Sequence, residues 1–475
     1  MNSNAQNKEL PKDYLSKEFH KGRREQLRKI MPAKSVSVFF TNPVRNRAND
    51  VDFHFHQDPN FYYLTGYREP NSVLIIFKND QKIQGELINE IIFVQEKDAF
   101  AEMWNGKRLG IEGVNKELGF NYVYNGFEFI DAKIDFSNFD HILVSPFEND
   151  VRDTDNEADL YDLIATFKQQ ISINLTQSKK QNFDKNQAKF RKTIDTKTFQ
   201  SLMASLREIK TKEELLLIKK AVEISAIGQI EIMKAMHPAM SELEIQGVHE
   251  FVYKKYGAEY EGYPSIVGAG NNGCILHYVD NIKPVVGDGS LVLMDLGAEY
   301  HGYTADVTRT IPANGKFTVE QKLIYDLVFK AQEAGIVSMK IGNNFNHPNQ
   351  ITRTIINNGL VELGIINSQD EDHLYYPHGS SHHIGLDVHD ASNFGPFEEN
   401  MVITVEPGIY ITEGSNCDKK WWGIAVRIED DIWITKNGPI NLSAMAPRTS
   451  EDIEKTMLLP SALDAFILPK LDEGF

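Results

Sequence analysis

Cysteine is nearly absent: Cys274 and Cys417 are the only two in 475 residues. Two thiols exclude a disulfide scaffold or a thiolate metal cage, and they suit a reducing compartment. Long apolar runs are missing too, since no stretch approaches the roughly 18 apolar residues of a membrane span. The first ten residues are too polar for the apolar core of a signal peptide. Basic charge is in deficit, with 50 Lys and Arg against 67 Asp and Glu and a formal net charge of −17. Phosphate binding relies on basic patches, so nucleic acid is not expected as a partner. A cytoplasmic protein with no membrane association is the reading these absences support.

What is present is enough apolar material for real cores: 41 % of residues are hydrophobic and 25 % charged. The length allows two or three domains. Apolar, β-rich runs recur at Ser35–Phe40, Ser72–Phe77, Glu90–Val94 and His141–Val144. A helix is expected over Glu157–Lys168, where Leu160, Leu163, Ile164 and Phe167 fall at helical spacing. Together these predict an α/β N-terminal domain over residues 1–175. The polar stretch Gln177–Lys192 has almost no apolar periodicity, and residues 176–200 are expected to form a linker.

Residues 201–475 are expected to form a second, α+β domain. Thr211-Lys-Glu-Glu214 and Ser241-Glu-Leu-Glu244 read as capping boxes, in which hydroxyl and carboxylate satisfy orphan amides at a helix start. A third helix opens at Thr318-Val-Glu-Gln321, and strand signals follow over Ser290–Thr310 and Met401–Trp433. The order helices-then-strands thus occurs twice, which suggests two related halves.

The chemistry concentrates in the second domain. Pro377–Asp390 packs His378, His382, His383 and His389 into a Gly-punctuated path, and imidazole is both the commonest metal ligand and a ready proton carrier. Asp295 ends an apolar strand, and a turn around Gly302 returns the chain through Asp306, so a hairpin can set the two acids side by side. Glu406 ends the apolar run Met401–Val405, and Glu429 follows the alternating Gly423–Ile428 with Arg427 on its own face. A surface ion pair explains any one of these acids. It explains four poorly, because unpaired acids are seldom buried. Four carboxylates and an imidazole match two divalent ions, which can hold one water between them and generate hydroxide near neutral pH.

At these residues the chain resembles a known family. Asp295 and Asp306 eleven positions apart, His378-Gly-x-x-His382 running on to Val388-His389-Asp390, Val405-Glu406-Pro-Gly-Ile-Tyr410 and Arg427-Ile-Glu429-Asp are similar to the pita-bread metallopeptidases. Within them the likeness is to Xaa-Pro aminopeptidases (aminopeptidase P). It reaches the first domain through Phe61–Pro70 and Ala101–Gly106. The resemblance implies a pita-bread catalytic domain and hydrolysis of the bond between an N-terminal residue and a following proline, by attack of a metal-bridging hydroxide.

It also implies roles. Asp295, Asp306, His382, Glu406 and Glu429 would hold two divalent ions, usually manganese, with Asp306 and Glu429 as the bridges. His277, His378 and His389 would contact substrate and stabilise the tetrahedral species, and Glu406 would shuttle a proton. Arg427 and Tyr410 would support the ligands, and Trp104 of a neighbouring subunit would line the proline pocket. Partners would be peptides with proline second and further copies of the chain, in a dimer or tetramer. The stretch Asp390–Asn400 is shorter than the corresponding family loop, which leaves the rim of the site open. Two rivals stand beside this reading: a prolidase confined to Xaa-Pro dipeptides, and a non-catalytic pita-bread interaction protein.

Some residues carry blander expectations. His383 should face away from His382 on an extended backbone and act as scaffold. His301, at the hairpin tip, is expected in solvent. Gly268–Gly273 lacks the Lys-Ser/Thr of a phosphate loop and is expected as flexible backbone on the floor of the site. Cys274 has no apparent activating base.

Overall fold

Runs of β-branched and aromatic residues supply the first sheet. The computed structural model describes residues 13–83, 85–132, 134–171, 194–466 and 468. The chain divides into two units: Tyr14–Leu206 is one, and Arg207 onward, joined by Asp13, is the other. In the first, five strands lie in the order Val123–Asn125, Glu86–Val94, Val73–Ile83, Ser35–Phe40 and His141–Val144. The three inner strands pair antiparallel and the two edge strands parallel, so the sheet is mixed. Val36, Val38, Ile75 and Phe93 pack in one core with Leu163 and Phe167 of the helix Leu160–Gln170. This is an α/β unit. Of the segment 176–200, residues up to 193 lie outside those described, and Thr196–Arg207 is a helix whose Phe199 packs on Phe39.

The second unit repeats one plan. In its first half the helices Lys212–Ala235 and Glu242–Tyr256 precede strands, and each helix starts with a complete capping box, from Thr211 and from Ser241. Leu291–Leu296 pairs antiparallel with Val307–Pro312, while the inner Ala298–Tyr300 pairs with Tyr303–Thr304. In the second half the helices Val319–Ser338 and His347–Glu362 come first. Then Val402–Val405 pairs with Asp430–Thr435, and the inner Gly408–Ile411 with Ile424–Arg427. Both halves therefore nest an inner strand pair within an outer one. The step between the pairs is forced in the first half at Gly297, where a Cβ would lie 1.9 Å from the Ala305 carbonyl oxygen. One apolar core, including Ile232, Met294, Ile324, Val328 and Val426, joins helices and strands of both halves. Among the described residues no helix is long and apolar enough to cross a membrane.

Candidate metal centre

The nested strand pairs place the four acids. Asp295 is the penultimate residue of its strand, and Asp306 stands immediately before Val307, where the returning strand begins. Glu406 follows Val405 at the end of its strand, and Glu429 stands immediately before Asp430, where the next begins. Each half thus delivers one acid from a strand end and one from a strand start. All four, with Tyr263, His277, His378, His382, His389 and Arg427, line one cavity of about 690 Å³.

The imidazole arrives on the histidine-rich segment, which is threaded along Val402–Val405. The Thr404 amide donates to the His382 carbonyl at 2.9 Å, and the Glu406 amide to the Ser380 carbonyl at 2.9 Å. Extended backbone there turns alternate side chains to opposite sides. His382 faces the cavity, with Nε2 3.4 Å from Asp306, 3.7 Å from Glu406 and 3.8 Å from Glu429. His383 faces the other way, buried and stacked on Phe345. Beyond it, Asp390 is buried with Arg207 and Lys210, both of which donate to its carboxylate. Burial alone would raise the Asp390 pKa, but those two cations hold it below the usual carboxylate range. Gly385 is required beside them, because a Cβ would come within 2.2 Å of Asp390 Oδ2.

Two of the acids have firm partners. The Tyr263 hydroxyl lies 2.5 Å from Asp295 Oδ1 and 2.6 Å from Asp306 Oδ1, and Arg427 Nη2 donates to Asp295 Oδ2 at 2.5 Å. Burial would raise Asp295, yet Arg427 and Tyr263 hold it below the ordinary range. Asp306 is pushed well up, by burial and then by the charges of Asp295 and Asp431. Glu429 is likewise pushed well up, by burial and then by Asp306 and Glu406. Burial raises Glu406 to about 7 against the pull of His382 and Arg427.

This cluster fits divalent cations. Buried like charges need a proton or a cation between them. Ligand atoms of Asp306, His382 and Glu429 all lie within 4.8 Å of one another. Glu429 is 2 % exposed and accepts from the Thr308 hydroxyl at 2.7 Å, yet among the described residues its buried Oε1 has no hydrogen-bond partner. A buried carboxylate oxygen left bare among other carboxylates is costly unless a cation takes it.

Around the acids runs a polar chain. His378 Nε2 is 2.8 Å from the Tyr410 hydroxyl, and Arg427 Nη1 donates to that hydroxyl at 3.0 Å. Burial, then the Arg427 charge, lowers His378 to about 4, so it is neutral at ordinary pH. The His389 ring lies 4.4 Å from that of His382 and is also lowered, first by burial and then by His382. His277 is exposed at the cavity, while the adjacent Tyr278 is buried and donates to Glu242 at 2.8 Å. Trp104 is not in this group. It sits exposed on the helix Ala99–Asn105 of the N-terminal unit.

Several supporting residues escape sequence reasoning. Tyr263 and Thr308 bond ligand candidates directly, and the Asp431 carboxylate accepts from the Asp306 amide at 3.0 Å. Glu242 collects four donors, the amides of Ala269 and Lys283 with Asn272 and Tyr278, and so organises the segment before His277. Only strand register could reveal Tyr263: Ile266 opposes Asp295, which sets the preceding Gly262-Tyr-Pro264 turn against the acids. Two expectations are corrected. His301 is buried rather than solvated, because its ring meets Glu259 at 2.7 Å and Asp13 at 3.1 Å. Gly268–Gly273 is a strand end and a 3₁₀ turn rather than flexible backbone, since any Cβ at Gly268 would strike the Gly273 amide at 2.7 Å. Cys274 is raised to about 12 by burial, which removes it as a nucleophile.

Buried carboxylates and an imidazole at the strand junctions of a duplicated α+β unit define an enzyme scaffold built to hold divalent cations. Known proteins agree. The family model described as "Metallopeptidase family M24" matches residues 217–436, and that described as "Aminopeptidase P, N-terminal domain" matches residues 20–134. The Xaa-Pro aminopeptidase of Haemophilus influenzae is 35 % identical over 93 % of this chain and 98 % of its own length. That of Escherichia coli is 32 % identical over 94 % of this chain and 98 % of its own. Among solved structures, E. coli aminopeptidase P with the inhibitor Pro-Leu gives a TM-score of 0.79 at 30 % identity, covering 94 % of this chain and 99 % of that one. Pseudomonas aeruginosa aminopeptidase PepP gives 0.80 at 30 % identity, covering 94 % and 98 %. The chain belongs to metallopeptidase family M24, with an aminopeptidase P N-terminal domain followed in sequence by a pita-bread catalytic domain.

Proposed function

We propose that this protein is an Xaa-Pro aminopeptidase that removes the N-terminal residue from peptides with proline in second place. The observation that carries the reading is the cluster of three buried carboxylates, the half-buried Glu406 and His382 around Glu429 Oε1, which has no hydrogen-bond partner among the described residues, open to a peptide-sized cavity. Asp295, Asp306, His382, Glu406 and Glu429 would hold two divalent ions, manganese by the resemblance. When bound, such ions supply an activated water and positive charge for the oxygen that becomes negative.

The remaining work falls to side chains. Glu406, with its carboxyl raised to about 7, is tuned to take a proton from the attacking water and return it to the prolyl nitrogen. His378 is neutral; its Nδ1–H donates to the Gly379 carbonyl at 2.7 Å, so its Nε2 accepts from the Tyr410 hydroxyl at 2.8 Å, and the ring held this way orients the peptide from the cavity wall. His277 and His389 orient the peptide from the cavity wall. Arg427 holds Asp295 and Tyr410 in place, so it acts through them. Trp104 of a neighbouring copy would line the proline pocket, in a dimer or tetramer working in the cytoplasm.

A prolidase is the second reading. A dipeptide specialist must neutralise the substrate's C-terminal carboxylate beside the proline. Among the cavity-lining residues the only Lys or Arg is Arg427, and it is committed to Asp295 at 2.5 Å. This favours longer peptides. Cleavage of Xaa-Pro dipeptides, Xaa-Pro-Xaa tripeptides and longer peptides by the Mn²⁺-loaded protein tests the choice. Faster turnover of the longer substrates is expected, and activity on dipeptides alone would make it a prolidase.

A further inference from the structure

Two glutamines occupy matching places in the two halves. Gln229, on the helix Lys212–Ala235, and Gln332, on Val319–Ser338, are each 0 % exposed. Burying an amide costs free energy unless its groups find partners. Gln229 Nε2 donates to the carbonyls of Met294 at 3.2 Å and Val307 at 2.7 Å. Met294 immediately precedes Asp295, and Val307 immediately follows Asp306. Gln332 Nε2 donates to the Val405 carbonyl at 3.1 Å and to Asp430 Oδ2 at 2.8 Å. Val405 immediately precedes Glu406, and Asp430 immediately follows Glu429. In each half, one amide nitrogen ties the residue before the strand-end acid to the residue after the strand-start acid.

We propose that Gln229 and Gln332 are positioning residues, one clamp per half, that set the spacing of the four carboxylates and so the affinity of the site for a pair of divalent cations. The proposal rests on those carboxylates being metal ligands. Glutamine suits the task because one neutral nitrogen carries two N–H groups and can reach two strands at once. A hydroxyl has one proton to give, and a lysine would add charge to the core. The contacts fall at or near strand ends, where support from the ladder runs out. Gln229 keeps this role at a cost: its own Oε1 is buried without a protein partner among the described residues. An apolar side chain would avoid that penalty, so the donor end is what the position uses.

The test is Mn²⁺ titration of the metal-stripped full-length protein by calorimetry, with thermal melting alongside, for wild type, Gln229→Met, Gln332→Met and Ser225→Ala. Ser225 is the control, a buried polar group on the same helix as Gln229 that bonds the Ala221 carbonyl and the Ala298 amide, neither of them adjacent in sequence to one of the four acids. Each Gln variant should weaken Mn²⁺ binding by roughly 10–100-fold, as loss of a ligand's supporting contact does. Ser225→Ala should lower the melting temperature and leave metal affinity unchanged. Wild-type affinity in both Gln variants would overturn the proposal, whatever their stability. If the methionine variants do not fold, Gln→Asn withdraws the donors by one methylene and keeps an amide; wild-type affinity there overturns it equally. A wild-type protein that binds no Mn²⁺ removes the metal reading and this proposal with it. Tight wild-type binding with unaltered variants removes this proposal alone.

Discussion

The two halves of the catalytic unit share a strand plan but support their acids differently. In the first, Asp295 and Asp306 are joined through one tyrosine hydroxyl, and Arg427 grips Asp295 from its other oxygen. In the second, Glu406 and Glu429 have longer side chains, and among the described residues only Glu429 has a close supporting donor, the Thr308 hydroxyl of the first half. A short, braced pair faces a long, loosely held pair. The less constrained glutamates are free to move a proton, the role proposed for Glu406.

The largest effect should come from removing the most crowded acids. Asp306→Ala and Glu429→Ala should each cut Mn²⁺-dependent peptide cleavage by roughly a thousandfold or more. Each should also raise the melting temperature of the metal-free protein, because a buried carboxylate crowded by others is lost. A metal-free variant that melts below wild type would break the argument from crowding.

The bracing itself is the next target. Tyr263→Phe unties both aspartates, and a loss of roughly 10–100-fold in metal affinity is expected. Thr308→Val frees one oxygen of one glutamate and should cost less. If calorimetry ranks Thr308→Val above Tyr263→Phe, the proposed asymmetry between the halves is wrong.

The smallest effect is a graded pH dependence. In the metal-free protein, Glu406 titrates near 7 against its ordinary value of 4.5, and Asp306 and Glu429 are raised as well. The folded state then binds more protons than the unfolded state across that interval, so metal-free stability falls as pH rises through it. Metal needs the deprotonated ligands, so the rise in melting temperature on adding Mn²⁺ should grow from about pH 4.5 to pH 7. A constant rise across that range would contradict the raised carboxyls.

Much of this was legible in the residues, for identifiable reasons. Acids on otherwise apolar strands stand out because burial of a charge is rare, and all four meet in one cavity. Alternation along an extended segment separated His382 from the stacked His383. Helix starts were readable where a hydroxyl caps, as at Thr211, Ser241 and Thr318. The helix expected from Glu157 begins at Leu160 because the Asp159 carboxylate caps it by accepting from the Asp162 amide, which periodicity alone does not reveal. The helix His347–Glu362 was hidden by its Asn and Thr content, although Thr352 is buried. Tyr263, Gln229 and Gln332 were hidden for another reason. Their partners lie across strand register or helix packing, and a buried glutamine reads in sequence as part of a polar face.

The central claim is that four carboxylates and one imidazole hold two cations. Metal analysis of the purified protein after Mn²⁺ incubation and removal of free metal tests it most directly. The account predicts two Mn²⁺ per chain; fewer than about one per chain would contradict it.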